Sequence, residues 1–180
     1  MKNKIILVTG WNATGKSTFA KQLAERLGVP FFNKDALNET IGGGLGAEGW
    51  EVYKKGNGIT VSLLMHVAER FFHVGKICIL ENNFTQPEVE KLADLFKKYD
   101  CECLTYMFSG DLDVLGERYF RRERHWVHSK ARDAGVMRRY PEARALMNVE
   151  IGNMIYVDAT SFEKIDYEAL FIAGETFIVN

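Results

Sequence analysis

Residues 5–18 restrict the fold of this chain more than any other stretch of its sequence. They begin with an apolar run over residues 5–8 and continue into a loop with glycine at its first and sixth positions, Gly10 and Gly15. The sequence Lys-Ser-Thr at residues 16–18 then opens an amphipathic segment. A strand, a loop and a helix in this order are typical of a phosphate-binding P-loop.

Such a loop has a defined chemistry. Its glycines allow the backbone to curl so that successive N–H groups point at phosphate oxygens, and the helix N-terminus adds partial positive charge. We expect Lys16 to reach the β- and γ-phosphates of a nucleoside triphosphate, Ser17 to ligate Mg²⁺ and Thr18 to bond the α-phosphate. A glycine-rich turn without a ligand is the alternative, which the flanking strand and helix disfavour. The residues predicted to contact the nucleotide are Gly10, Trp11, Asn12, Ala13, Thr14, Gly15, Lys16, Ser17 and Thr18.

Length and composition indicate one ordinary globular domain over residues 1–180. The chain is 47% hydrophobic and 26% charged, which is normal for a soluble protein. It contains no apolar run of membrane-spanning length and no signal-peptide pattern, so we expect a cytoplasmic protein that does not bind membranes. Its three cysteines, an odd number, argue against a disulfide framework.

Five short apolar stretches alternate with helical patterns, which predicts a parallel sheet covered by helices on both sides. The strands are expected at 4–9, 29–33, 77–80, 102–108 and 154–157, and the helices at 16–27, 36–40, 59–72, 86–99, from about 112, from about 141, and 166–177. Between them, residues 42–58 are rich in glycine and are predicted to form a flexible insert. This insert is either a plain surface loop or part of an acceptor site.

Asp35 is the candidate general base. It follows the strand predicted at 29–33, and ligands of open α/β sheets collect at the carboxyl ends of the strands. A carboxylate in that place can accept the proton of an attacking hydroxyl. Asp is also a good N-cap for the short helix at 36–40, and both roles remain open.

Glu81 closes the third predicted strand and is a candidate for holding Mg²⁺ or its water ligands. Asn82 or Asn83 could take that place instead. The alternative for Glu81 is a hydrogen bond that only orders the loop.

A basic segment follows the fourth strand. Residues 118–139 carry about six net positive charges, in a chain whose overall formal charge is −1, and this favours a compact anionic ligand over a long nucleic-acid track. Arg118, Arg121 and Arg122 share one helical face. We expect Arg118 and Arg122 to stabilise charge on a transferring phosphoryl group and Arg121 to bind the nucleotide. A solvated basic face is the alternative.

With these residues in view, the chain resembles the small P-loop kinases of the shikimate kinase, gluconate kinase, chloramphenicol phosphotransferase and polynucleotide kinase group. The resemblance rests on the P-loop, Asp35, the strand end at 81–83, the arginine helix and the turn at 158–160. It implies an α/β P-loop NTPase three-layer sandwich. The five-stranded parallel sheet would have the order 2-3-1-4-5, with helices on both faces and an arginine-rich lid at about 115–140.

The resemblance also implies the reaction: transfer of the γ-phosphate of ATP, with Mg²⁺, to a hydroxyl of a small molecule, with Asp35 as base. It places Asp158 and Thr160 beside the adenine, although a plain turn explains this pair equally well. Members of the group that bind a phosphorylated acceptor often carry arginine three residues after the aspartate. Here that position is Asn38, which disfavours such an acceptor.

Other functions remain as alternatives. A polynucleotide or nucleotide kinase is the enzymatic one, although nucleic acid is an unlikely partner, and an ATP-binding regulator without catalysis is another. A GTPase switch is disfavoured because the Asn-Lys-Asp sequence at 33–35 has the wrong spacing and comes too early in the chain. The protein is expected to be a monomer or a homodimer.

Overall fold

Strands and helices alternate along the chain. The computed structural model describes residues 2–45, 50–121 and 148–180. The strands are β1 (Asn3–Gly10), β2 (Phe31–Asn33), β3 (Ile79–Glu81), β4 (Cys101–Ser109) and β5 (Asn153–Asp158). The helices are α1 (Lys16–Leu27), α2 (Lys34–Leu45), α3 (Trp50–His73), α4 (Gln86–Lys98), α5 (Leu112–Arg121) and α6 (Tyr167–Val179), with a short 3₁₀ helix at Phe162–Lys164.

The five strands form one parallel sheet in the order β2-β3-β1-β4-β5. This is the order that the resemblance implied. The register sets Asn33 of β2 beside Glu81 of β3, and Glu81 beside Val8 of β1. The carboxyl ends of β2, β3 and β1 therefore meet at one edge, which is where ligands collect in open parallel sheets.

Helices cover both faces of the sheet, and β1 shows why. Ile5 and Leu7 belong to a core formed with α3 and α4, whereas Ile6 and Val8 belong to a core formed with α1 and α6. Successive side chains of a strand point to opposite faces, so a strand that is apolar throughout needs cover on both. Full burial of such a side chain stabilises the fold by about 1.5–3 kcal/mol.

Several helix ends lie where the sequence predicted them. Helix α1 spans the predicted residues, and α4 begins with a capping box in which Thr85 and Glu88 satisfy each other's backbone N–H groups. At the start of α6, the carboxylate of Asp166 accepts a hydrogen bond from the backbone N–H of Ala169 at 3.0 Å. Local capping chemistry decides these boundaries, and the sequence shows it directly.

The prediction of a flexible insert at 42–58 is wrong where the structure describes it. Helix α2 continues through Gly42 to Leu45, and α3 already begins at Trp50; residues 46–49 lie outside the described ranges. Glycine costs a helix up to about 1 kcal/mol relative to alanine. Helices α2 and α3 pack along each other, however, and Gly42 and Gly56 are buried. Tertiary packing here overrides the local preference of glycine.

The remaining differences are smaller. The helix predicted at 36–40 is part of the longer α2, and the one predicted at 59–72 is the second half of α3. Strands β2 and β3 each begin two residues later than expected. Of the predicted lid at 115–140, residues up to Arg121 form part of α5. The rest of the lid, Arg122 and the helix expected from 141 lie outside the described residues.

None of the helices that the structure describes has the length and apolar character needed to cross a bilayer.

Candidate active site

The P-loop connects β1 to α1 at the carboxyl edge of the sheet. Three of its residues have positive φ angles, 117° at Gly10, 61° at Ala13 and 80° at Gly15. The backbone N–H of Trp11 donates to the carbonyl of Phe108 on β4 at 2.8 Å, and the Thr14 hydroxyl donates to the Trp11 carbonyl at 2.8 Å. These contacts hold the loop in a curl against the sheet.

Gly10 is required by its closeness to β4. A Cβ atom at this position would lie 1.9 Å from the carbonyl oxygen of Phe108, which is far inside van der Waals contact. A side chain could fit only if β1 and β4 separated, which would break the hydrogen bond that holds Trp11. Position 10 therefore excludes every residue other than glycine.

We expect Gly10→Ala to lower the free energy of unfolding by about 2–5 kcal/mol, because it combines a strained φ angle with an overlap against backbone. Urea unfolding of the purified variant measures this. Gly43→Ala is the control, since a Cβ there meets no atom within 4 Å and alanine favours the helix. Equal stability of the two variants would contradict the close approach of Gly10 to β4.

Lys16 lies inside the loop. The residue is only 6% exposed, and its Nζ donates to the Trp11 carbonyl at 2.5 Å. An ammonium buried this deeply needs oxygen partners, because burial without them is costly. The loop thus concentrates positive charge and polar backbone at the point where α1 begins.

Glu81 and Ser17, the two predicted metal ligands, are in contact. The Ser17 hydroxyl donates to Oε2 of Glu81 at 3.1 Å, and the side-chain amide of Asn33 donates to the same oxygen. Glu81 is buried, and this burial raises the pKa of its carboxyl group; the charge of Lys16 opposes the rise, whereas that of Asp35 adds to it. A hydroxyl and a carboxylate side by side offer the hard oxygen atoms that Mg²⁺ prefers.

Asp35 lies in the first turn of α2 with its side chain 55% exposed, and its Oδ1 is 3.1 Å from Nζ of the buried Lys34. The N-cap role that the sequence left open for Asp35 is taken by Asn33, whose Oδ1 accepts from the backbone N–H of Ala36 at 2.6 Å. Sequence reasoning overlooked Asn33. Its position at the end of a predicted strand, directly before Lys34 and Asp35, was the signal available in the sequence.

Asn82 and Asn83 form hydrogen bonds with Glu88 and Asn12 respectively. The Asn83 side-chain amide donates to Oδ1 of Asn12 at 2.6 Å, which ties the P-loop to the segment after β3. Asn82 contacts Glu88 of the capping box at 3.4 Å. Of the three candidates at this strand end, Glu81 is the one that contacts Ser17.

Arg118 and the turn after β5 form a second part of the site. The guanidinium of Arg118 donates to the carbonyls of Ala159 and Thr160 at 2.5 and 2.7 Å. It also lies over the ring of Phe162, 4.0 Å from the ring centroid. The backbone N–H and the hydroxyl of Thr160 donate to Asp158 at 2.9 and 2.5 Å, and they lower the pKa of that carboxyl group. Asp158 and Thr160 thus stabilise the turn.

Phe162 connects this turn to the P-loop, and sequence reasoning missed it. One ring carbon lies 3.3 Å from where a Cβ on Gly15 would be. Phe162 also lines a cavity of about 380 Å³ together with Gly15, Thr18, Phe19, Gln22 and Tyr167. An aromatic residue two positions after the turn was the signal available in the sequence. Arg121, by contrast, is exposed and pairs with Glu117 at 3.4 Å.

This sheet order, with a lysine-bearing loop between the central strand and the first helix, defines the P-loop kinase fold. A family model described as an AAA domain matches residues 5–144, and the chain belongs to that family. It is 27% identical to the shikimate kinase of Brucella canis over 142 residues, which cover 79% of this chain and 68% of that protein.

Solved structures agree with this assignment. A candidate kinase from Chloroflexus aurantiacus is 27% identical, with a TM-score of 0.82 over 98% of this chain and 96% of that one. A gluconokinase from Sinorhizobium meliloti shares the fold at 18% identity, with a TM-score of 0.63 over 97% of this chain and 93% of that one. The chain is therefore a P-loop kinase, as its sequence predicted.

Proposed function

We propose that this protein transfers the γ-phosphoryl group of ATP to a hydroxyl of a small molecule. The arrangement of three groups supports this most directly: Lys16 in the P-loop, Ser17 in contact with Glu81, and Asp35 just beyond the neighbouring strand β2. All three lie at the carboxyl ends of β1, β3 and β2, which are adjacent in the sheet. A kinase needs the same three elements, namely a polyphosphate grip, oxygen ligands for a metal ion and a base.

In this proposal the residues from Gly10 to Thr18 hold the phosphates, and Lys16 neutralises charge on the β- and γ-phosphates. Ser17 and Glu81 would hold Mg²⁺, either directly or through its water ligands. When bound, that ion neutralises negative charge on the phosphate oxygens. The side-chain amide of Asn33 keeps the Glu81 carboxylate oriented toward Ser17.

The cavity between the P-loop and Phe162 suits the adenine base. Phe162 offers a flat apolar surface, and Arg118 offers a planar cation above it. The contacts of Arg118 favour a place beside the base over one at the γ-phosphate, and Asp158 and Thr160 order the turn that holds it. We assign stabilisation of the transferring phosphoryl group to Arg122, and a supporting contact with the nucleotide to Arg121.

Asp35 is proposed to accept the proton of the attacking hydroxyl. Its side chain is 55% exposed and therefore accessible to a substrate, and the buried ammonium of Lys34 lies 3.1 Å from its Oδ1. Asn33 is the N-cap of α2, because its Oδ1 accepts from the backbone N–H of Ala36. General base catalysis contributes about 10²–10⁴ to the rate of a transfer like this one.

Incubation with Mg-ATP and a panel of acceptors tests the proposal. The panel contains sugars, sugar acids, antibiotics, nucleosides and oligonucleotides, and mass spectrometry finds the product that has gained phosphate. We expect a phosphorylated small hydroxyl compound, which disappears when EDTA removes the metal. A product confined to oligonucleotide ends or nucleotides would favour the alternative kinase classes. Nucleotide binding without any product would contradict the proposed transfer.

A further inference from the structure

Asn38 is a buried polar side chain that the fold itself does not explain. The residue is 2% exposed, yet within the described ranges no group forms a hydrogen bond with its Nδ2. Most buried amides have partners, because leaving a donor without one costs stability. An unpaired donor kept in such a place suggests a partner that arrives from outside the chain.

The position of Asn38 connects it to the proposed acceptor site. It lies on α2, one turn after Lys34 and Asp35. Residues four apart share a helical face, and Lys34 and Asn38 are both buried on the same side of α2. Lys34 in turn contacts the carboxylate of Asp35. Asn38 therefore lies on the buried side of α2, within one helical turn of the residue that we propose as the base.

Gly56 of α3 provides the space that this amide occupies. A Cβ at position 56 would lie 2.5 Å from Oδ1 of Asn38, whereas a Cβ at Gly58 would meet nothing within 4 Å. Glycine in the middle of a helix is less favourable than alanine. The closeness of the Asn38 side chain explains why position 56 is glycine. Gly58 has no such explanation, because a side chain would fit there.

We propose that Asn38 determines acceptor specificity by donating a hydrogen bond from Nδ2 to an uncharged hydroxyl or carbonyl oxygen of the acceptor. This inference rests on the proposed function. Asn carries no charge, so it matches a neutral oxygen and gives no preference to a phosphate. The acceptor class is then an unphosphorylated polyhydroxy compound with a second oxygen near the one that reacts.

The test compares Asn38→Leu with the wild type on a panel of sugars, sugar alcohols and their monophosphates, with Mg-ATP. We expect KM for the acceptor to rise roughly five- to tenfold, as for the loss of one neutral hydrogen bond, with KM for ATP unchanged. We also expect a melting temperature at or above that of the wild type, because no protein partner is lost. Asn3→Leu is the control, since Asn3 donates to the Tyr99 carbonyl at 2.8 Å; it should lower the melting temperature and leave KM unchanged.

A second pair of variants tests the same idea from the other helix. Gly56→Ala should displace the Asn38 amide and reproduce the rise in acceptor KM, whereas Gly58→Ala should leave KM unchanged. An unchanged acceptor KM in Asn38→Leu or in Gly56→Ala would overturn the assignment. Faster phosphorylation of the monophosphates than of their neutral parents would also overturn it.

The failure of this inference differs from the failure of the proposed function. If the wild type phosphorylates no member of any panel, the proposed transfer fails and the kinetic test of Asn38 fails with it. If the wild type is active and only the variants disagree, the inference alone is wrong. The melting temperature can be measured without an acceptor. If it falls as far in Asn38→Leu as in Asn3→Leu, Nδ2 of Asn38 has a partner within the protein and the inference is wrong.

Discussion

Lys16→Met is expected to reduce phosphoryl transfer by about 10²–10³-fold, the usual effect of removing one preorganised charge or donor from a transition state. Methionine keeps an unbranched apolar stem inside the loop and removes only the ammonium that now contacts the Trp11 carbonyl. The loss should be mainly in kcat, because charge on the transferring group develops during the reaction. Initial rates with the acceptor found by the screen measure it.

Lys21→Met is the matched control for this experiment. Lys21 also lies on α1, but its side chain is 71% exposed and its contact with Glu25 is long, at 3.9 Å. Exposed ion pairs of this kind contribute little, so the control should retain wild-type kinetics. If both lysine variants turn over at the wild-type rate, Lys16 has no part in the transfer.

Asp35→Asn is expected to lower kcat by about 10²–10⁴-fold while leaving ATP binding intact. The substitution keeps the size of the side chain and an oxygen for Lys34, so it removes the ability to accept a proton with little change in shape. The contribution of Asp35 to the decrease in kcat/KM at low pH should be lost in the variant, whereas the contribution of Glu81, whose pKa is raised by burial, should remain. Steady-state kinetics over a pH series, with calorimetric ATP titration, give both readouts.

The control for Asp35→Asn is Asp94→Asn, in an exposed position of α4. It changes the net charge equally and should leave both kcat and the pH profile unchanged. If Asp35 had only a structural role through its ion pair with Lys34, the variant would lose stability and keep its activity. The melting temperature of Asp35→Asn would then fall while kcat stayed at the wild-type value, and the assignment of Asp35 as base would be wrong.

Much of this fold could be predicted from sequence because its signals are local. The glycine spacing of the P-loop, the run that is apolar throughout in β1 and the capping box of α4 each lie within a few residues. The contact between Ser17 and Glu81 was also within reach, because parallel strands bring their carboxyl ends to one edge. Local chemistry and the rule for parallel sheets suffice for these features.

Other features depend on groups that are distant in sequence. Glycines 42–44 indicated a loop, but they belong to a helix because α2 packs along α3. Nothing in the sequence indicated that Arg118 contacts the carbonyls of Ala159 and Thr160, 41 and 42 residues further along the chain. Composition and periodicity carry no information about partners at such separations.

The sequence by itself determined the class of protein, because a phosphate-binding loop is a short stretch of backbone whose conformation its own residues dictate. It also determined the layered architecture, since a fully apolar strand must be covered on both faces. Only the tertiary structure decided which residues surround the proposed nucleotide and acceptor sites. It gave the N-cap role to Asn33, set Phe162 beside the P-loop and left the Asn38 amide buried next to Gly56. Each of these depends on the packing of whole elements, for which no single stretch of the chain is responsible.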